Sequence, residues 1–331
     1  MRALFIICMT VLVVLLPIRS SIGYAPSAVS AAVGDPFITA KEIRIGADKF
    51  YTVDLLYQDL RKLTAQYPEL KVEQVGKSYW GDPLYALVMG QGDKTLMVTA
   101  GMHGWESVGS YLSMREVAEL LQSHAQGVPS ASLALDEYRI VVLPLINPDG
   151  VRIAQGERHP LVGNYTAEQL RGWKANAWGV DINRNFPHGY YKMANFLPTT
   201  PGPSFYPGTA PASEKETQAV LIALETYKPD MLVDLHSSGN IVFWHYNQEQ
   251  TLVPNRQLAY AVGKVFGYGI SHNLQQAIGA HLKDHFIGTY DKPAFIVEIG
   301  SFDNRYQIHK EFNDLYRRFN NFLVKLAHLI P

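Results

Sequence analysis

The chain has 331 residues, 47% of them hydrophobic and 18% charged, a globular balance that can bury a large core. Lys and Arg number 29 and Asp and Glu 30, so the net charge is -1. A chain so near neutrality carries no footprint for a polyanion, and nucleic acid is excluded as an expected partner.

The first element is an apolar run from Ala3 to Leu16, behind Arg2. It falls short of the ~20 residues that a spanning helix needs, and it has the length of a signal-peptide core. Small residues leading to Ala31 and Ala32 offer a cleavage point, so residues 1–32 read as a signal peptide. The mature protein is then expected to be secreted into the extracytoplasmic space or cell wall, without stable membrane association; an uncleaved anchor is the alternative. Cys8, the only cysteine, lies in this run. The mature chain therefore has no disulfide, cysteine nucleophile or thiolate metal ligand.

Residues 52–68, TVDLLYQDLRKLTAQYP, place apolar side chains at helical spacing, with Thr52 as a cap and Pro68 beyond the end. Residues 71–90 read as two strands around a Gly-Asp turn. KTLMVTAG, 94–101, reads as a strand buried on both faces. A helix follows over 106–124, a buried strand over 138–150, a helix over 213–227 and a strand over 230–236. A helix over 255–267, a strand over 294–300 and one long helix over 306–330 complete the pattern. Apolar strands alternating with helices predict an α/β fold with a mostly parallel sheet. No interior boundary is visible, so a single catalytic domain is expected over residues 40–331.

In such sheets ligands gather outside the carboxyl ends of the strands. His103 and Glu106 stand after TLMVTAG, Asn147 and Asp149 after IVVLPLI, His236 after MLVDL, and Glu298 within AFIVEIG. A His or Glu ending a buried strand is unfavourable unless it is paired or bound to metal. Two histidines and a glutamate suit a catalytic zinc with one open position. Unrelated strand-end polar residues are the alternative. A rival pair, His281 and His285 in HLKDH, has helical spacing, but Leu282 stands where the zinc helix H-E-x-x-H has its Glu. A helix face touching a substrate pocket suits that pair better. VGKS has Lys71 where a phosphate loop needs its leading glycine, and no G-x-S-x-G string supports a serine hydrolase.

GMHGWES, NPDG, GVDINRNFP, SEKETQA, LHSSGN and FIVEIG, in that order, resemble the zinc carboxypeptidases, the metallopeptidases related to carboxypeptidase A. The resemblance implies a three-layer α/β/α, phosphorylase/hydrolase-like fold with a mixed, mostly parallel sheet, and one Zn2+ per chain. It implies that His103, Glu106 and His236 bind zinc, and that Asp181 orients His103. Asn183 and Arg184 would hold a substrate carboxylate, Arg184 in a bidentate pair, although an ion pair with Asp181 also suits Arg184. Glu298 would be the general base acting on the zinc-activated water. A monomer acting on peptides is expected.

Two departures from the family pattern stand out. Lys174 occupies the place of an arginine that stabilises the oxyanion, with Arg171 as the fallback; lysine supplies charge but no planar fork. Gln275 or Gln276 stands where the animal digestive members carry a tyrosine. WKANAWGVDINRNFP followed by GAHLKDHFI is most similar to the bacterial γ-D-glutamyl–diaminopimelate peptidases, which cut cell-wall stem peptides. Lys283, fifteen residues before Glu298, would favour a leaving residue with a second carboxylate; an exposed helix lysine is the plain alternative. A broad carboxypeptidase and a zinc-free wall-peptide binder are the competing expectations.

Overall fold

The computed structural model describes residues 50–248, 251–271 and 279–331. The signal-peptide run with Cys8, and the Gln275 and Gln276 positions, lie outside them. Among the described residues no helix is long and apolar enough to cross a membrane.

In chain order the elements are α1 (Val53–Gln66), β1 (Lys71–Lys77), β2 (Pro83–Met89), β3 (Lys94–Ala100), α2 (Val108–Ala125), α3 (Pro129–Glu137) and β4 (Tyr138–Leu143). Then come α4 (Pro148–Ala154), α5 (Ala167–Arg171), α6 (Tyr190–Ala194), α7 (Lys215–Tyr227), β5 (Met231–His236) and β6 (Ile241–Phe243). α8 (Leu252–Phe266), β7 (Gly269–Ile270), α9 (Leu282–Tyr290), β8 (Ala294–Glu298), α10 (Phe312–Phe319) and α11 (Phe322–Ala327) follow.

Among the described residues the strands form one eight-stranded sheet in the order β1-β2-β4-β3-β5-β8-β6-β7. The centre, β4-β3-β5-β8, is parallel. The β1-β2, β2-β4 and β6-β8 pairs are antiparallel. Strand alternation sorts the core into two layers. Leu96, Val98 and Ala100 of β3 join a cluster with α1, α2, α8, α10 and α11, while Met97 faces α7 and α9 on the other side. The architecture is thus three-layer α/β/α, matching the expected fold class.

The long helix expected over 306–330 is instead three pieces. A 3-10 segment, Phe302–Glu311, leads into α10, and α10 stops before Asn320 and Asn321, the latter at φ 59. The buried Glu116 carboxylate accepts from the backbone N–H of Asn321 (2.8 Å) and Leu323 (3.3 Å). It caps the new helix with a side chain from α2, so a tertiary bond overrides the local helical pattern. Burial and the neighbouring Glu119 push the Glu116 carboxyl up to about 8, against its two backbone N–H bonds.

Chain order places the site. From β3 the chain goes to β4 on one side and later to β5 on the other, so the strand order reverses at β3 and β5. A crevice opens outside the carboxyl ends of strands at such a switch point.

Candidate metal centre

Three segments converge at that crevice. The loop after β3 brings His103 and Glu106, and the last residue of β5 is His236. The last residue of β8 is Glu298, directly opposite His236 in the β5-β8 register. The loop after β3 is pinned from behind. Asn147 Nδ2 donates to the carbonyls of Met102 (3.0 Å) and Ala175 (3.0 Å), and Gly104 and Trp105 donate to the carbonyls of Lys174 and Trp173. Packing is so close that a Cβ on Gly104 would meet the Gly150 carbonyl oxygen at 2.2 Å. That contact requires glycine at 104, and a Cβ on Gly150 would in turn meet Asn147 Nδ2 at 2.4 Å and the Ala175 carbonyl oxygen at 2.5 Å. Asn147 is therefore a clamp, and Asp149 is turned away to accept from Ser78 Oγ (2.6 Å) and the Trp80 N–H (3.1 Å).

His103, Glu106 and His236 are buried, and their donor atoms lie within 4.8 Å of one another. His103 Nδ1 is 2.9 Å from Glu106 Oε1, and His236 Nδ1 is 2.8 Å from Glu106 Oε2. On the far side of each ring stands a carboxylate. His103 Nε2 is 3.1 Å from Asp181 Oδ1, and His236 Nε2 is 2.8 Å from Asp234 Oδ2. With each Nε2–H donated to its carboxylate, both Nδ1 atoms are lone pairs aimed at the oxygens of Glu106. Lone pairs facing lone pairs in a buried site repel, and either a second proton on the ring, which the raised His236 favours, or a metal cation resolves the repulsion. Two imidazoles and one carboxylate are the donor set that zinc takes in open, catalytic sites. The residues present therefore fit the ion.

Asp234 was missed by the sequence reading, although a signal existed. It lies two residues before His236 on an otherwise apolar strand buried along its whole length. Residues two apart on a strand share a face, and a buried Asp requires a partner. Thr99 Oγ1 of β3 donates to its other oxygen at 2.7 Å.

The electrostatics follow from crowding. Burial would raise Glu106, but His103 and Lys174 outweigh it and hold its carboxyl below the usual range. Burial would likewise raise Asp181, yet Arg184, His103 and Lys174 hold it well below. For His236 burial opposes charge, and Asp234 and Glu106 reverse that to push it up. Glu298 goes the other way: burial and the Glu106 charge raise its carboxyl to about 7, against the pull of His236, Lys174 and His103.

The remaining sequence candidates divide. Lys174 is at the site, its Nζ 3.1 Å from Glu106 Oε1. Arg184 donates to the Asn183 carbonyl at 2.8 Å and lies 5.4 Å over the Phe205 ring. Asn183 is buried: Oδ1 accepts from the Leu282 N–H (2.9 Å), and Nδ2 lies 3.3 Å from His236 Nε2, which cannot accept from it while its own proton goes to Asp234. Lys283 is neither a free cation nor an exposed helix lysine. It is 4% exposed, donates to the His245 carbonyl (2.8 Å) and forms an ion pair with Asp284. His281 caps α9 and contacts Asp284 at 3.0 Å, while His285 packs toward His188 and Phe186. Burial, with Arg184 beside His281 and His188 beside His285, depresses both to about 4. Arg171 is exposed on α5 and lines a different cavity, taken up below.

With this geometry in place, the comparison with known proteins is direct. The sequence profile of the zinc carboxypeptidases matches residues 56–316. The chain belongs to the zinc carboxypeptidase family. It is a zinc metallopeptidase by that membership, and zinc is its cofactor. This zinc carboxypeptidase family member is 26% identical over 291 residues to the gamma-D-glutamyl-L-diamino acid endopeptidase 1 of Lysinibacillus sphaericus, covering 82% of this chain and 71% of that protein. It is 26% identical over 220 residues to mast cell carboxypeptidase A of Rattus norvegicus, covering 62% of this chain and 49% of the relative. In structure it is similar to thrombin activatable fibrinolysis inhibitor, with TM-score 0.69 and 16% identity over 86% of this chain and 75% of that one. Carboxypeptidase A of Helicoverpa armigera gives TM-score 0.63 at 17% identity, over 86% and 75%. These two structures share the fold.

Proposed function

We propose that the protein is a secreted peptidase that hydrolyses the γ-D-glutamyl–diaminopimelate bond of peptidoglycan stem peptides, with zinc held by His103, Glu106 and His236. The observation that carries the chemistry is the buried ring of three donors, braced by Asp181 and Asp234, with Glu298 on the neighbouring strand end. The observation that supports the substrate is the endopeptidase from Lysinibacillus sphaericus, which aligns with 82% of this chain.

When bound, zinc polarises the scissile carbonyl and lowers the pKa of water beside it. The chain's own residues do the rest. Glu298, raised to about 7 by burial and Glu106, is suited to take a proton from the attacking water and return it to the leaving nitrogen. The Lys174 ammonium, 3.1 Å from Glu106 Oε1, is the group that would meet the negative charge growing on the carbonyl oxygen. Burial works against its charge, but Glu106, Glu298 and Asp181 outweigh that and hold it protonated. Arg184 holds the carboxylate of the leaving residue. Asn183 positions α9 through its Oδ1 and Arg184 through its backbone carbonyl, and its Nδ2 joins Arg184 on that carboxylate.

A broad carboxypeptidase is the second reading, and one observation favours it. The Lys283 charge is already met by Asp284, so its pull on a second substrate carboxylate is that of an ion pair, not of a lone cation. The two readings separate when the purified protein is given L-Ala-γ-D-Glu-diaminopimelate and, in parallel, ordinary L-peptides. Free diaminopimelate detected by mass spectrometry is the expected outcome. Cleavage of the L-peptides alone would reject the wall-peptide reading.

A further inference from the structure

Arg171, the fallback for the family's arginine, lines a cavity of about 40 Å³ together with Gly104, Trp105, Ser107, Arg305 and His309. One water needs at least ~10–15 Å³ by such a measure, so this space takes a group of a few atoms.

Three of the chain segments that line the cavity also serve the metal centre; Phe50 and the end of α4, Ala154 and Gln155, complete the wall. The loop after β3 contributes Gly104, Trp105 and Ser107 between and beyond His103 and Glu106. The segment ending α5 contributes Arg171, three residues before Lys174. The chain leaving β8 contributes Arg305, seven residues beyond Glu298. Trp105 joins the two places. Its ring lies 5.8 Å from Lys174 Nζ, and that ammonium is 3.1 Å from Glu106 Oε1.

Two arginines line the cavity and, among the described residues, no Asp or Glu does, so its charge suits an anion, although the apolar Phe50, Ala154 and Ile308 share the wall. Arg305 is fixed by its Nη1 bond to the Phe302 carbonyl (3.2 Å) and by packing over the Phe302 ring at 4.0 Å. Ser107, also in the wall, is the N-cap of the 18-residue α2 and makes no side-chain capping bond. The positive end of that helix dipole therefore adds to the two arginines.

We propose that Arg171 and Arg305 form an anion subsite beside the metal centre that receives the free α-carboxylate of a γ-linked D-glutamyl residue. The proposal rests on the γ-D-glutamyl reading above. In a γ-linkage the carbonyl under attack is the side-chain carboxyl carbon. The α-carboxylate stays free, four C–C bonds away, or ~5 Å when extended. An ordinary α-linked residue has no anion there. A guanidinium pair recognises a carboxylate by charge-assisted, bidentate bonds, and partial burial strengthens the attraction.

The test compares L-Ala-γ-D-Glu-diaminopimelate with its neutral analogue, in which the α-carboxylate is an amide. Both are given to the wild type and to an Arg171→Gln/Arg305→Gln double variant. The ratio of kcat/KM for the two substrates is read on one preparation, so partial misfolding cancels. The wild type is expected to prefer the acid by about 10- to 100-fold, mainly through KM, and the ratio should fall toward one in the double variant. A wild type without preference, or a ratio unchanged in the double variant, overturns the subsite alone. A wild type that cleaves neither substrate overturns the γ-D-glutamyl reading and the subsite with it.

Discussion

Glu298→Gln is expected to lower kcat by about 10²- to 10⁴-fold, the usual contribution of a positioned general base. Glutamine keeps the shape of the side chain but cannot take a proton. Glu298 stands on β8 opposite His236 and is not among the three clustered donors, so zinc content should not change. KM should move little, because in the proposed reading Arg184 holds the leaving residue. Steady-state kinetics with elemental analysis of the same preparation separates these effects. Zinc-loaded protein that keeps more than a tenth of wild-type kcat would mean that another group moves the proton.

Asp234→Asn should weaken zinc binding by about 10- to 100-fold, as loss of a carboxylate behind a ligating histidine does. Asparagine can still accept from His236 Nε2, and it can still meet Thr99 Oγ1, so the bonds at 2.8 and 2.7 Å have substitutes. What is lost is the negative charge that makes His236 a better donor. Competition with a chelator of known affinity reads the effect directly, and thermal melting of the zinc-free protein supplies the control. Unchanged zinc affinity with a lowered melting temperature would show that Asp234 only braces β3 against β5.

The parts legible in the sequence were those that physics writes locally. β3 and β5 are buried along nearly their whole length, so their apolar runs and their polar end residues stood out. That was enough to pick His103, Glu106, His236 and Glu298 from strand ends. Short elements were not legible: β6 has three residues and β7 two, too few for a period to show. α9 showed only as the helical spacing of HLKDH and not as an element of the chain-order pattern, because its apolar face is short and its cap is a histidine. The break at Asn320 and Asn321 depends on Glu116, some 200 residues earlier, and no window around the helix contains it.

Long-range pairing also limited the site. Lys283 reads as a cation in isolation, yet the pocket around His245 closes on it and Asp284 neutralises it. Arg171 and Arg305 share a cavity only because the β3 loop and the chain after β8 meet beside the metal centre. Arg171 stands out in the sequence only as the fallback for the family's oxyanion arginine, and Arg305 carries no motif.

The central claim is the identity of the metal centre, and diffraction from crystals of the zinc-loaded protein at the zinc absorption edge tests it most directly. The prediction is one anomalous peak, about 2.0–2.2 Å from His103 Nδ1, His236 Nδ1 and a Glu106 oxygen. A peak at His281 and His285 instead, or none within reach of Glu106, would contradict it.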